Sequence, residues 1–203
     1  MTAGRHNNST NKEWCTPPVY VNAVKGVFGG KIDFDPCSNE YSVVGADVEI
    51  RLPDQDGLKV SWNYSHIYVN PPYGNDKEMG TSIIDWLKMC AYAYEQYGSE
   101  VIALIPVAVN TKHWKYYIFG HAKSVCFLSD TRLKFLENGS GNGKGAPMAC
   151  ATVYWGSNPD AFYNVFIKYG AVVDVSHLNE LYSQNTLLSK RWDPSKETTQ
   201  TTR

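Results

Sequence analysis

Apolar residues fall into alternating helix-like and strand-like runs along the chain. Val19, Tyr20, Ala23, Val24 and Val27 recur at helical spacing, and Gly29-Gly30 ends that run. Thr16 reads as the N-cap of this helix, with Pro17 and Pro18 in its first turn. Residues 31–35 then predict a short strand broken by Pro36, and residues 48–50 predict another. His66–Val69 reads as a buried strand stopped by Asn70-Pro71-Pro72. Ser82 and Asp85 form a capping-box-like start to a helix whose Ile83, Ile84, Leu87, Cys90, Ala91 and Tyr94 share one face. Gly98 closes it, and the continuously apolar stretch 100–105 predicts a strand covered on both faces. Residues 114–119 read as helical, and Ser124–Leu128 and residues 151–155 as further strands.

Strand–helix–strand alternation of this kind predicts an α/β domain built on a mostly parallel sheet, with helices on both faces. Residues 1–11 are polar and without periodicity, so they read as a mobile tail. One domain is expected over 12–175, followed by a largely polar, partly disordered extension over 176–203. The longest apolar run, residues 101–109, is far short of the roughly 18 residues that a membrane helix needs, which predicts a soluble protein. No apolar signal-peptide core precedes it. The 5 cysteines include no C-x-x-C pair, so neither a disulfide framework nor a zinc ribbon is expected. They read as reduced thiols of a cytoplasmic protein.

In such sheets ligands bind beyond the carboxyl ends of the strands. There the chain places Asp35-Pro36-Cys37-Ser38-Asn39, then Asn70-Pro71-Pro72-Tyr73, then Pro106. Two consecutive prolines remove two backbone donors and fix φ, so Pro71-Pro72 is stiff and cannot extend the sheet. The carbonyls of Asn70 and Pro71, together with the Asn70 amide oxygen, then form a rigid acceptor-rich corner beside the Tyr73 ring. Such a corner suits an exocyclic amino group on a planar ring. Acceptors holding its hydrogens out of plane localise a lone pair that conjugation otherwise weakens. The chemistry this points to is methylation of that nitrogen, driven by orientation and electrostatic preorganisation rather than by a strong base. Cys37 has no His and acid partners in sequence to make it a nucleophile.

The block from Asp56-Gly57-Leu58 through Trp62 and His66 to Asn70-Pro71-Pro72-Tyr73-Gly74 resembles the motifs of AdoMet-dependent DNA adenine-N6 methyltransferases. It looks closest to the small phage-type Dam family. Glu13 to Pro17 and the turn Asp33-Phe34-Asp35-Pro36-Cys37-Ser38 extend the resemblance upstream. Ala103 to Pro106, Trp114, Thr131 to Phe135, Ala146-Pro147-Met148 and Val153 to Gly156 extend it downstream, so that it spans residues 12–157. The resemblance implies a Rossmann-like class I methyltransferase fold with an antiparallel C-terminal strand, and S-adenosyl-L-methionine as cofactor. Asn70 and the Pro71 carbonyl would grip the target N6, Pro72 would stiffen the bend, and Tyr73 would stack on the adenine. Asp35, Pro36, Cys37 and Ser38 would line the methionine end of AdoMet, with Asn70 also touching the cofactor and Trp14, Thr16 and Pro17 closing over it. Asp56 would lie beside the cofactor's adenine amino group, and Pro106 would wall the pocket. The acid that holds the ribose is left open between Asp47 and Glu49. A protein-glutamine or RNA methyltransferase, or an inactive methyltransferase fold that binds nucleic acid, are the competing readings.

Charge changes the picture of the partner. The net charge is −1, yet residues 33–60 carry seven acids against two bases, and residues 112–144 six bases against two acids. The basic half includes a glycine-rich stretch and suits a surface that tracks phosphates. Lys112, His113, Trp114, Arg132, Lys134 and Lys144 are its candidate DNA contacts, with loops 74–81 and 137–148 setting any sequence preference. A duplex adenine must be flipped out to reach a pocket, unless the strand is single.

Overall fold

The computed structural model describes residues 14–76, 80–130, 133–140 and 148–182. The expected tail at 1–11 and the stretch from 183 onward lie outside the described residues. In chain order the elements are β1 (Trp14–Cys15), α1 (Pro18–Val27), β2 (Phe34–Ser38), β3 (Val48–Arg51), β4 (His66–Val69), β5 (Asn75–Asp76), β6 (Thr81–Ser82), α2 (Ile83–Tyr97), β7 (Glu100–Pro106), β8 (Ser124–Leu128), β9 (Leu136–Glu137), β10 (Cys150–Trp155), α3 (Pro159–Phe166), β11 (Gly170–Asp174) and α4 (Asn179–Tyr182). A 3-10 turn covers Gly57–Lys59 and a π-helical turn covers Trp114–Ile118.

Seven strands form the central sheet in the order β3-β2-β4-β7-β10-β8-β11, within a mixed α/β, Rossmann-like architecture. The β3, β2, β4 and β7 pairings are parallel. The pairings of β10 with β7, β10 with β8 and β11 with β8 are all antiparallel. Two strands, β10 and β11, therefore run against the rest, where the sequence had suggested one. β10 returns between β7 and β8, and β11 then adds to the outer edge of β8. On β7 the alternation is complete: Val101, Ala103 and Ile105 face Trp86, Leu87 and Cys90 of α2. Ile102 and Leu104 join the opposite cluster with Tyr20 and Val24 of α1 and Phe162 and Phe166 of α3. Helices thus cover both faces of the sheet.

Local chemistry explains most boundaries. Asp85 Oδ2 accepts the Ser82 backbone N–H at 2.8 Å, and Gly98 ends α2 in the left-handed region at φ 68°. Thr16 is not the cap of α1. Pro17 holds that place, and the Thr16 hydroxyl instead shares a 2.7 Å hydrogen bond with the Tyr68 hydroxyl. β2 also begins later than expected and runs through Pro36. Its pairing with β4 is confined to Phe34, and its register with β3 breaks between Asp35 and Ser38, so the missing Pro36 N–H interrupts no ladder there. Residues 176–182, placed by sequence in the polar extension, include a turn at which Asn179 Nδ2 donates to the Phe119 and Ala122 carbonyls. All five cysteines are free thiols. No helix among the described residues is long and apolar enough to cross a membrane.

Candidate active site

The chain leaves β2 toward β3 on one side, and leaves β4 toward β7 on the other. The carboxyl ends of β2 and β4 therefore flank the switch point of the sheet, the usual ligand crevice of such folds. Asp35 to Ser38 stand on one bank and Asn70 to Tyr73 on the other.

Asn70 is tied on both sides. Its Nδ2 donates to the Trp14 carbonyl at 3.1 Å, and its Oδ1 lies 3.1 Å from the Tyr73 hydroxyl, which donates to it. The same hydroxyl lies 3.2 Å from the Leu104 carbonyl, so two acceptors from neighbouring strands converge on one point. Pro71 is buried, whereas Pro72 is exposed. The Tyr73 ring meets Phe135 edge-on at 6.0 Å, and Phe135 stacks on Trp14 at 5.5 Å. Burial holds the Tyr73 phenol well above its ordinary pKa, so it stays protonated and is no general base.

On the other bank Asp35 is only 3% exposed. Burial pushes its carboxyl up to about 7; the Cys37 backbone N–H, donating at 3.1 Å, opposes that rise, and the charge of Glu49 adds to it. Cys37 is no thiolate: burial, then the Asp35 charge, hold its thiol well above the ordinary range. Glu49 stands in register opposite Asp35. It accepts from the Ser38 and Ser42 hydroxyls at 3.1 and 3.4 Å and pairs with Arg51. Burial raises its carboxyl, but Arg51, Ser38 and the Ala46 N–H outweigh that and leave it below the usual carboxylate value. Asp47 is different, exposed and bonded to Lys31 just before β3 begins, at the far end of the strands. Of the two acids left open by the sequence, Glu49 is the one at the crevice.

Asp56 anchors a turn. Its Oδ1 caps the 3-10 turn by accepting the Leu58 N–H at 3.0 Å, and its Oδ2 pairs with Lys59 at 3.2 Å. Gly57 beside it lies so close to β2 that a Cβ would stand 1.8 Å from the Pro36 carbonyl oxygen. The turn packs directly against the Asp35–Ser38 segment of β2. Gly57→Ala is therefore expected to displace the 35–38 segment and lower the melting temperature by about 10 °C, the effect of roughly 3 kcal/mol in a chain of this size. A melting curve matching that of the unaltered protein would contradict this packing.

A family model described as "DNA N-6-adenine-methyltransferase (Dam)" matches residues 4–173. The chain belongs to the Dam family. No curated protein and no solved structure matches it. The chain is accordingly a DNA N6-adenine methyltransferase, an enzyme, and DNA is its substrate.

The expected DNA contacts of this Dam-family chain divide. Lys112 and Lys134 are exposed. His113 is half-buried, its Nε2 3.2 Å from the Thr111 hydroxyl, and burial holds its imidazole below the ordinary value. Trp114 corrects the sequence reading: it has no exposed surface, stacks parallel to Phe127, and donates its indole N–H to the Pro106 carbonyl at 3.2 Å. It cannot reach nucleic acid, and it fixes the end of β7 instead. Arg132, Lys144 and most of the 137–148 loop lie outside the described residues. Sequence reasoning missed the Leu104 carbonyl and Phe135. A backbone acceptor leaves no trace in residue type, and Phe135 reads as ordinary core until the fold brings it beside Tyr73.

Proposed function

We propose that this Dam-family enzyme takes S-adenosyl-L-methionine in the crevice between β2 and β4 and methylates an adenine turned out of the strand. The observation that carries the reading is the hydrogen bond from the Tyr73 hydroxyl to Asn70 Oδ1, a position already shaped for a hydrogen-bond donor from a planar ring. The donor set suits AdoMet: the buried Asp35 carboxyl matches a cationic ammonium, and Glu49 with Ser38 matches a ribose diol. Pro36, Cys37, Asp56 and the segment Trp14, Thr16 and Pro17 would complete that wall. When bound, the cofactor supplies an electrophilic methyl group on a sulfonium.

The chain's own residues do the rest. Asn70 Oδ1 accepts one N6 hydrogen, and the Pro71 or Leu104 carbonyl accepts the other, which holds both hydrogens out of the base plane and localises the nitrogen lone pair. Tyr73 leaves its place on Asn70 and offers its ring as a stacking face. With Tyr73 neutral and Cys37 protonated, neither takes the N6 proton beforehand. That proton becomes acidic only once the nitrogen is methylated and then leaves to solvent, so orientation provides the acceleration. Lys112, His113 and Lys134, with Arg132 and Lys144, would hold the strand's phosphates.

The test is methyl transfer from labelled AdoMet onto duplex DNA, single-stranded DNA, RNA and a glutamine peptide in parallel. Label in DNA, recovered as N6-methyladenine, is expected. Label confined to RNA or peptide would overturn the proposed acceptor, and no AdoMet binding by calorimetry would favour an inactive nucleic-acid-binding fold.

A further inference from the structure

Asn70 can serve as a grip only if its oxygen, and not its nitrogen, faces the target. Resting on the reading of Asn70 given above, we propose that β1 is a positioning element that sets this choice through the Trp14 carbonyl. A carbonyl only accepts, so the amide edge 3.1 Å from Trp14 O must be Nδ2, which leaves Oδ1 toward the crevice. Without that contact the amide could turn half-way round and present donors to a donor. β1 is two residues long and cannot hold this place alone. It is held by its antiparallel register, Trp14 with Glu137 and Cys15 with Leu136, and by the Trp14–Phe135 stack. The Cys15 thiol adds contacts to Asn39 Oδ1 at 3.4 Å and the Tyr41 carbonyl at 3.3 Å. The orientation of the gripping amide thus depends on the ribbon of β1 and β9.

The arrangement dictates asparagine rather than aspartate at position 70. An ionised carboxylate is acceptor-only, so one oxygen would face the Trp14 carbonyl with no proton between them. Only the protonated acid restores the bond, donating O–H to Trp14 and keeping a free acceptor for the target.

The experiment combines Asn70→Asp and Phe135→Leu in the full-length chain, with two readouts. In the protein without cofactor or DNA, backbone exchange at residues 14–15 is expected to rise several-fold in Asn70→Asp at pH 8 and to fall back toward pH 6. In steady-state methylation, Asn70→Asp is expected to lose about tenfold or more in kcat at pH 8 and to recover part of it as pH falls, a limb that the unaltered enzyme lacks. Phe135→Leu is expected to lower kcat with KM for DNA and AdoMet affinity unchanged, and Phe135→Trp to restore it. Unchanged exchange in Asn70→Asp, or full activity of that variant at pH 8, would overturn the proposal. The exchange readout does not depend on catalysis, so an unaltered protein that methylates nothing while β1 still loosens in Asn70→Asp would sink the functional reading and keep the link between β1 and residue 70.

Discussion

Asn70→Ala is expected to lower single-turnover methylation by about 10²- to 10³-fold, the size seen when one preorganised hydrogen-bonding partner is removed from a reacting centre. AdoMet affinity should stay within about twofold, because the contact proposed for Oδ1 is with the target base and not with the cofactor. Tyr73 separates two roles. Tyr73→Ala loses the stacking face and should fall steeply in turnover. Tyr73→Phe keeps the ring and removes only the hydroxyl that occupies Asn70 Oδ1 in the free protein. Its turnover should therefore stay close to that of the unaltered enzyme, with KM for DNA equal or lower. A rapid-quench assay at saturating DNA decides the matter. Asn70→Ala reacting at the normal rate would remove the grip from the mechanism, whatever the behaviour of Tyr73.

Asp35→Asn is expected to have opposite effects on stability and on cofactor binding. The Asp35 carboxyl is pushed up to about 7 from an ordinary 3.8, chiefly by burial. Between those values the native state keeps a proton that the unfolded chain has released. Stability therefore declines as pH rises through that window, and by pH 8 the native state has lost roughly 4 kcal/mol relative to a group that does not titrate. Asparagine removes the titration. The melting temperature of Asp35→Asn should exceed that of the unaltered protein at pH 8 and lose most of that advantage at pH 5, where Asp35 is already neutral. AdoMet affinity should move the other way. If Asp35 holds the ammonium group, binding expels the Asp35 proton below pH 7. Affinity of the unaltered protein should then weaken about tenfold per pH unit below that value and level off above it. Calorimetry from pH 5.5 to 8 should show this slope, and Asp35→Asn should bind weakly with none. The same slope in both proteins would place the ammonium elsewhere.

The parts of this molecule legible in its sequence are those whose chemistry is local. His66–Val69 and the apolar run of β7 declared themselves because a strand covered on both faces needs little else than apolar residues. The start of α2 was carried by Ser82 and Asp85. Asn70-Pro71-Pro72-Tyr73 stood out because two prolines behind a buried strand have few structural uses. Contacts between distant segments were not legible. Trp14 and Asn70 are 56 residues apart, and nothing near either one announces the other. Asp47 and Glu49 look equivalent in sequence, and only the strand register sends one to the crevice and the other to Lys31. α3 and β11 escaped notice for a different reason. β11 is a half-exposed edge strand with little apolar pattern, and α3 fully buries only Phe162 and Phe166, with Ala161 and Val165 packed beside them. Trp114 misled because a tryptophan beside Lys112 and His113 has the composition of a nucleic-acid contact. It is buried against Phe127 of β8 and Pro106 of β7, neither of them beside it in sequence.

The target amine is expected to sit at the point now held by the Tyr73 hydroxyl. A crystal structure of the full chain with an AdoMet analogue that cannot transfer its methyl group, bound to DNA carrying a substrate adenine, addresses it directly. Adenine N6 is expected within hydrogen-bonding distance of Asn70 Oδ1, with the Tyr73 hydroxyl withdrawn and its ring against the base. An adenine seated elsewhere, with Tyr73 still bonded to Asn70, would contradict it.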